Sequence, residues 1–356
     1  MTLNTDPFPL APKSVQSVPR SRISSLGEYL QICFLVVALS MVVFSPKTEA
    51  YTTFAIIFSA IVLEALPFML LGTLLGGVVE VFLSRETMIK FLPANKKMAI
   101  VAAAFLGIIF PVCECAIVPV VRKFIQKGMP LGASVAFLLG GPIVNPLVFS
   151  STLVAYSFSW DVALLRMIQG LGVAVAGGLL VDSVLNRDQA LLPGALDAQG
   201  GCCHAGCGHD HDPGRPFMAK LRDAFSHGAA DFYDIGRFLI FGAFIAALLQ
   251  THVPRQAILS IANGPVLSTG AMMALAVILN LCSEADAFIS ASFRSLGIPL
   301  SAQLAFMVLG PMLDVKLVLM YLGIFTRKMI LVLVSFVCLA VFLISILMEV
   351  CQWLAA

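Results

Sequence analysis

The sequence predicts an all-α polytopic membrane protein made of two homologous, inverted repeats with broken or re-entrant helices, preceded by one extra N-terminal helix. Three observations lead to this fold class. The 356 residues are 59% hydrophobic and only 12% charged, whereas soluble domains carry about 25% charged residues. Apolar runs long enough to span a bilayer, which takes about 20 residues, recur from Leu30 to the C-terminus. The same spacing of polar and helix-breaking residues occurs twice within these runs.

The apolar segments divide the chain into five parts. Residues 1–27 are predicted to be a cytoplasmic tail, and 28–45 an extra transmembrane helix that is retained, because no small-residue cleavage site follows it. A first repeat (50–185), a linker (186–217) and a second repeat (218–354) follow. The predicted membrane segments are 52–83, 99–121, 131–158 and 162–184 in the first repeat and 231–251, 265–293, 300–325 and 329–353 in the second.

The repeat is visible in two stretches at a constant offset of 169 residues, "MPLGASVAFLLGGPIVNPL" from Met129 and "IPLSAQLAFMVLGPMLDVK" from Ile298. Each contains a Gly-Pro pair followed three residues later by Asn or Asp, and the same offset aligns Cys113 with Cys282. With a one-residue gap, Glu64 aligns with Asp234. Shared Leu and Ala would mean little in apolar segments, but these polar and helix-breaking positions indicate a duplication.

The distribution of Lys and Arg predicts how the halves are oriented, because short cytoplasmic loops are enriched in both residues. Both loops beside segment 99–121 carry several cations, so both ends of this segment are predicted to face the cytoplasm, as in a re-entrant hairpin. The bias is reversed around the equivalent segments of the second half, which predicts inverted repeats. If 99–121 were instead a full span, the halves would be parallel.

Two kinds of helix break are predicted at membrane depth, where irregular backbone is tolerated only if protein or a water-filled cavity covers it. Pro111 and Pro119 bracket "VCECAIV", and glycines and prolines surround Asn145 in "GGPIVNP". The second half repeats the breaks as "CSEADA" and "GPMLD". Ionisable residues in membrane segments indicate a functional site by default, although an acid held only by helix N-terminal amides is the structural alternative. The predicted transport pathway contains Glu64, Cys113, Glu114, Cys115, Asn145, Asp234, Cys282, Glu284, Asp286 and Asp314.

The cysteines at these breaks indicate the chemistry of the cargo. Thiolates select soft ions such as Cu(I) and Zn(II), and trivalent arsenic also bonds to thiols. Cys113 and Cys115 are within reach of one ion, and Cys282 is the equivalent of the first. Fewer than four fixed ligands is appropriate for a carrier that must release its ion, since closed four-ligand sites hold zinc structurally.

The linker contains "GGCCHAGCGHDHDPGRP", a glycine-rich stretch that is typical of metal binding by composition. Its predicted ligands are Cys202, Cys203, His204, Cys207, His209 and His211. On the predicted topology it faces the cytoplasm, where thiols stay reduced, and would capture or sense Zn or Cu. The alternative is a Cys-rich loop without such a role.

The stretches "PVCECAIVP", "GGPIVNPLV" and "GPMLD" resemble the bacterial permease family that includes the arsenic permeases, over about residues 50–350. The resemblance implies an inner-membrane exporter that needs no resident cofactor. The Cys/His-rich linker is similar to the branch of that family associated with copper and zinc efflux. The halves differ at one point, because Glu114 aligns with Ser283 and Cys115 with Glu284, so the two breaks cannot bind an ion identically.

These observations favour export of thiophilic metal ions by alternating access, with proton exchange as a candidate for the coupling. An arsenite or organoarsenical permease of the same fold is the nearest alternative. A membrane thiol–disulfide enzyme is a third, although Cys-x-x-Cys is the usual redox spacing, and a membrane-anchored metal sensor is a fourth. The expected partners are the bilayer, the ion and a cytoplasmic metal donor, but no nucleic acid; no phosphate-binding G-x-x-x-x-G-K-[ST] stretch occurs.

Overall fold

The computed structural model describes residues 49–82, 93, 95–110, 112–192, 217–252 and 264–355. The predicted helix at 28–45 and all the metal ligands predicted in the linker lie outside the described residues. The chain divides into two units, Met1–Tyr51 and Thr52–Ala356, and the packing described below is that of the second. In the described part, five helices are long and apolar enough to cross a membrane: Glu49–Val79, Trp160–Val184, Lys220–His252, Leu300–Tyr321 and Arg327–Cys351. The all-α polytopic fold class is therefore confirmed.

Both halves contain a similar succession of long and short helices. The helices of the first half and the start of the linker are α1 (Glu49–Phe82), α2 (Lys96–Ala104), α3 (Leu106–Ile109), α4 (Glu114–Gln126), α5 (Leu131–Gly140), α6 (Pro146–Ala155), α7 (Trp160–Val184) and α8 (Arg187–Ala190). The second half contains α9 (Phe217–His252), α10 (Pro265–Leu279), α11 (Ala285–Ser292), a 3₁₀ turn (Phe293–Leu296), α12 (Leu300–Met312), α13 (Val315–Tyr321) and α14 (Arg327–Ala355).

A helix boundary lies at or just after the Gly-Pro pair in both halves: α5 ends at Gly140, and α12 continues through Pro311 to Met312. Asn145 is the N-cap of α6, where its side-chain oxygen accepts a hydrogen bond from the Leu147 N–H at 2.9 Å. Asp314 caps α13 in the same way through the Leu317 N–H at 2.7 Å. Asn and Asp are favoured N-caps, and the proline at the first position of α6 has no N–H to leave unpaired. The two caps are separated by the repeat offset of 169 residues.

Helices α2 to α4 form a helical hairpin. Ile100 packs at Gly132 near the start of α5, and Gly107 packs against the carbonyl oxygen of Val144 just beyond its end. Helices α2 and α3 therefore run parallel to α5. Helix α4 must return in the opposite direction, because it ends only a few residues before α5 begins. Its Phe124 ring stacks on the Phe137 ring of α5, with 5.5 Å between the ring centroids. The tip of this first hairpin is at Val112 and Cys113. The break predicted over "VCECAIV" is therefore shorter than expected, because α4 begins at Glu114 and continues through Pro119, which does not end the helix.

The second half repeats these contacts at equivalent positions. Ala276 of α10 faces Gly310 of α12, as Gly107 faces Gly141 in the first half. The Phe293 and Phe306 rings, the equivalents of Phe124 and Phe137, are in edge contact with centroids 6.0 Å apart. Helices α10 and α11 thus form a second hairpin, with its tip at residues 280–284.

The segment 131–155 is a span with a break in its middle. Gly132 lies against Gly178, Ile143 against Gly170, and the Thr152 hydroxyl accepts a hydrogen bond from Arg166. Helices α5 and α6 therefore continue one another along α7, in the opposite direction to it. Because α5 and α6 both lie beside α7, the break at 141–145 interrupts the helix without ending the span.

Helices at equivalent positions in the two halves run antiparallel to each other. Gly177 of α7 packs against the Phe336 ring of α14, while Gln169 of α7 donates a hydrogen bond to the Ser345 hydroxyl at 3.2 Å. In the pair α1 and α9, Gly77 meets Ala224, and the ring of Phe54 meets that of Phe244. Antiparallel packing of equivalent helices is the relation that an inverted repeat requires.

The hairpin topology predicts which loops share a side of the membrane. Lys97 and Lys127 flank the first hairpin, whereas Asp161 follows the broken span. Cysteines introduced as K97C and K127C should react with a membrane-impermeant maleimide from one side, and D161C from the other. The measurement uses intact cells and inverted vesicles, with Cys202, Cys203, Cys207 and Cys351 replaced by serine to lower the background. Labelling of K97C and K127C from opposite sides would show a full span instead.

Candidate functional site

The tips of the two hairpins meet at Glu114 and Ser283. The backbone N–H and the hydroxyl of Ser283 both donate to Oε2 of Glu114, at 3.4 and 3.3 Å. The two residues are separated by 169 positions, so each contacts its own equivalent in the other half. Both side chains are fully buried. The centre of the molecule is therefore a carboxylate shared between the two breaks.

The local sequence explains how Glu114 reaches this place. Cys113 is the N-cap of α4 with an extended backbone, and Glu114 occupies the first helical position. A negative side chain in the first turn is stabilised by the unpaired N–H groups and the positive end of the helix dipole. The apolar residues that follow bury α4 along almost its whole length. The first turn of α4 thus holds the Glu114 carboxylate in the protein interior.

Lys316 provides the positive charge that pairs with this carboxylate. Its Nζ lies 3.2 Å from Oε1 of Glu114 and 3.5 Å from Oδ2 of Asp314, and its side chain is 3% exposed. The Nζ also lies 3.5 Å from the carbonyl oxygen of Asn280, at the tip of the second hairpin. In the orientation of the Asn280 side-chain amide that turns its nitrogen towards Asp314, the nitrogen donates to Oδ2 and Oδ1 of Asp314 at 2.7 and 2.9 Å. One ammonium therefore links both carboxylates and the second tip.

Three thiols surround this charge cluster. Cys113 and Cys115 are buried and Cys282 is half-buried, and all are free. The Cys115 thiol donates to Oε1 of Glu114 over 3.7 Å and also interacts with the Cys113 thiol. The Cys282 thiol is within hydrogen-bonding reach of the Glu64 carboxyl group of α1. The structure thus brings together six of the residues predicted from the sequence: Glu64, Cys113, Glu114, Cys115, Cys282 and Asp314.

Most of these groups line one narrow cleft between α1, the two tips and α13, with a cavity volume of about 10 Å³. Helix α1 contributes three apolar side chains and the Glu64 carboxyl group to the lining, and the tips and α13 contribute the thiols and the other polar groups. The lining residues are Ile61, Glu64, Ala65, Phe68, Cys113, Glu114, Cys115, Asn280, Cys282 and Lys316. Among the described residues, no group of three or more Cys, His, Asp or Glu side chains is already arranged to hold a metal ion.

A second buried ion pair ties the second hairpin to the first half. Nη2 of Arg166, on α7, lies 2.8 Å from Oδ1 of Asp286 and donates to the carbonyl oxygen of Ser283 at 2.9 Å. Its Nη1 donates to the Thr152 hydroxyl at 2.8 Å. Asp286, predicted to lie on the pathway, is therefore joined to the cleft through the backbone of Ser283, while its own carboxylate pairs with Arg166.

The other predicted site residues have distinct surroundings. The carboxylate of Glu284 lies 3.3 Å from the Ser283 hydroxyl, beside the cleft. Asn145 is fully buried, and its Nδ2 has no hydrogen-bond partner in the described structure. Asp234, in contrast, lies away from the cleft, with a side chain that is 44% exposed and 3.8 Å from Arg122. Glu64 and Asp234 align in sequence but do not share an environment.

The sequence did not lead to Lys316, Asn280 or Arg166 as site residues, and it pointed to Ser283 only as the residue that aligns with Glu114. A signal existed for the two cations, since each interrupts an apolar segment and an intramembrane acid requires a partner. Which acid each cation would meet could not be read from the spacing.

A multi-pass helical protein whose broken helices bring buried charges to one central cleft has the architecture of a membrane permease. The comparisons agree: the profile of the ArsP_1 family, described as a predicted permease, matches residues 50–350, and the chain belongs to this family. It is a multi-pass membrane protein, and the inner membrane is the expected location in a bacterium.

Two relatives match over most of their length. The chain is 37% identical to the UPF0718 protein YcgR of Bacillus subtilis over 82% of this chain and 96% of the relative. It is also 37% identical to a Streptococcus mutans protein named as a candidate subunit of a two-component membrane permease complex, over 82% and 93% of the two chains. The UPF0718 protein YraQ of Escherichia coli is 27% identical over 37% of this chain and 38% of its own. No solved structure matches the chain.

The Arg166–Asp286 pair yields a stability prediction. Arg166→Met leaves a buried carboxylate unpaired, which destabilises by about 3–5 kcal/mol. Arg294, on the exposed turn after the second hairpin, provides the matched control Arg294→Met with little expected effect. The measurement is thermal unfolding of the purified protein in detergent. If Arg166→Met and Arg294→Met unfold at the same temperature, the ion pair does not hold the hairpin in place.

Proposed function

We propose that the chain is an efflux permease that exports thiophilic metal ions of the Cu(I) or Zn(II) type across the inner membrane by alternating access. One observation carries the proposal: Cys113, Cys115 and Cys282, from the tips of two different hairpins, line one cleft together with Glu64 and Glu114. Soft ions prefer thiolate ligands, and carboxylates complete the charge of a cationic cargo. The chain is accordingly proposed to be a transporter and not an enzyme.

The loose arrangement of the thiols suits a carrier. A closed set of four ligands holds zinc permanently. The cleft thiols, in contrast, come from two separate hairpin tips, which must approach each other to hold an ion. Reorientation of one hairpin relative to the other would separate Cys282 from Cys113 and release the cargo. The Cys/His-rich linker would deliver the ion, with Cys202, Cys203, His204, Cys207, His209 and His211 as its ligands.

The antiparallel packing of equivalent helices supports alternating access. In an inverted pair, each half can adopt the conformation of the other, and the exchange opens the same central site to the opposite side. The contacts between α7 and α14 and between α1 and α9 have this antiparallel relation. The Glu114–Ser283 contact lies where the two halves meet, so a rearrangement of the halves would change access to this cleft first.

Trivalent arsenic is the second candidate cargo, and Lys316 is the observation that favours it. The ammonium beside Glu114 already neutralises the carboxylate that a metal cation would use. Arsenous acid is uncharged near neutral pH and bonds to thiols alone, so it would not have to displace Lys316. The resemblance to the family that includes the arsenic permeases is in line with this cargo.

Substitution of the cleft thiols should abolish export. In cells that depend on this chain, Cys113→Ser and Cys115→Ser are expected to raise the accumulation of the cargo at least tenfold towards the level of cells without the permease. Cys338→Ser, which removes a half-buried thiol of α14, is the matched control and should leave accumulation unchanged. Accumulation and growth are measured with Cu, Zn and trivalent arsenic, and expression is checked for each variant.

Deletion of 200–212 separates the two cargoes. Metal export should fall in this variant, whereas arsenic export should not, because arsenic needs only the cleft thiols. Unchanged export of every cargo by both cysteine variants would remove the thiol pathway altogether. A mixed disulfide trapped on Cys113 or Cys115 would instead point to a thiol–disulfide enzyme.

A further inference from the structure

Lys316 occupies the place at Glu114 that a cationic cargo would need. Its Nζ lies 3.2 Å from Oε1 of Glu114, the oxygen to which the Cys115 thiol also donates. An ion held between the two cleft thiols of the first tip would therefore approach the same carboxylate oxygen as the ammonium. Two positive charges cannot share one such oxygen in a buried cleft without strong repulsion.

A second acceptor set for the ammonium is already in place. The Nζ lies 3.5 Å from Oδ2 of Asp314 and 3.5 Å from the carbonyl oxygen of Asn280. The flexible four-carbon side chain of lysine allows its ammonium to move between neighbouring acceptors, unlike the rigid fork of arginine. The ammonium can thus leave Glu114 and remain paired with Asp314, so its own charge stays compensated while a bound ion compensates Glu114.

The charges of this group favour one additional positive charge. Glu114 and Asp314 carry two negative charges when ionised, and Lys316 supplies one positive charge. With Lys316 paired to Asp314, a cation bound at Glu114 would neutralise the remaining negative charge, which is that of Glu114. When no cargo is bound, Lys316 pairs with both carboxylates and keeps Glu114 from being buried alone.

We propose that Lys316 is a tethered cation that competes with the cargo for Glu114 and so sets the affinity and charge selectivity of the cleft. The inference rests on the proposed export of thiophilic metal ions. Competition keeps the binding of a metal ion weak enough for release, because the ammonium returns to Glu114 as the ion leaves. A purely structural ion pair would predict only a loss of binding when Lys316 is removed, whereas competition predicts a gain.

The test measures binding of Zn(II) and, separately, of Cu(I) to the purified full-length protein at pH 8, by competition with a chromophoric chelator. Every protein in this binding test, including the reference that keeps Lys316, carries serine in place of the linker ligands, so that only binding at the cleft is observed. The replaced ligands are Cys202, Cys203, His204, Cys207, His209 and His211. Lys316→Met should bind metal at least tenfold more tightly than the reference protein, which carries the same linker serines and keeps Lys316. In cells, Lys316→Met with the linker intact should export metal more slowly than the chain without substitutions. Binding of trivalent arsenic should not change.

Two controls accompany this comparison. Lys316→Arg keeps the charge but holds carboxylates through a rigid fork, so it should bind metal no more tightly than the reference protein with Lys316 intact. Lys328→Met removes an exposed lysine of α14 and should have no effect. If Lys316→Met does not fold, Asp314→Asn with Lys316→Met is compared with Asp314→Asn alone, since Asn also caps a helix. The tenfold gain is expected there too.

The outcomes distinguish the two proposals. The inference about Lys316 is overturned if Lys316→Met folds and binds metal no more tightly than the reference protein that keeps Lys316. The proposed function survives that result if the reference protein binds metal and Cys113→Ser removes the binding. If neither the reference protein nor Lys316→Met binds Zn(II) or Cu(I), both proposals fail, and arsenic binding alone would favour the second cargo.

Discussion

The contact between Glu114 and Ser283 is the constraint on which the rest of this structure depends. A carboxylate that is wholly buried among apolar helices is costly unless hydrogen bonds and an opposite charge compensate for it. Here the compensation comes from three separate places in the sequence: Ser283 on the second hairpin, Lys316 at the start of α13, and the first turn of α4 itself. Each of these contacts with Glu114 depends on the positions of the other two elements. The hairpins and the broken spans are therefore parts of one arrangement.

Close helix packing provides this positioning, because helices in lipid associate through small residues that let their backbones approach. A Cβ added to Gly72 of α1 would lie 2.6 Å from the Cβ of Ala116, just beyond the first tip. A Cβ added to Gly242 of α9 would lie 2.7 Å from the Cα of Lys316. One glycine thus brings α1 against the thiols, and the other brings α9 against the cation. The cleft is bounded by helices that cannot be moved outward without losing these contacts.

Much of this arrangement could be predicted from the sequence, because its signals are local. The apolar segments, the breaks and the equivalent positions of Asn145 and Asp314 follow from hydropathy, proline and spacing, and Glu64, Glu114 and three cysteines do line one cleft. The pairing of charges could not be predicted, since it depends on which helices meet. Arg166 lies next to no acid in the sequence, yet it holds Asp286. Asp234 aligns with Glu64 but pairs with Arg122, because the two acids sit on helices with different neighbours.

The difference between the halves at positions 114 and 283 has a physical reason. Where two related segments meet at equivalent positions, a residue contacts its own counterpart, and identical glutamates would place two buried carboxylates within hydrogen-bonding distance. Like charges so close cannot both ionise. With serine at position 283, the side-chain hydroxyl donates a hydrogen bond to Oε2 of Glu114 at 3.3 Å, beside the one that the backbone N–H of the same residue donates at 3.4 Å. Serine therefore places a donor at the position equivalent to Glu114, while the carboxylate of Glu284 lies 3.3 Å from the same hydroxyl. The paired breaks thus form a single shared site with Lys316 beside it.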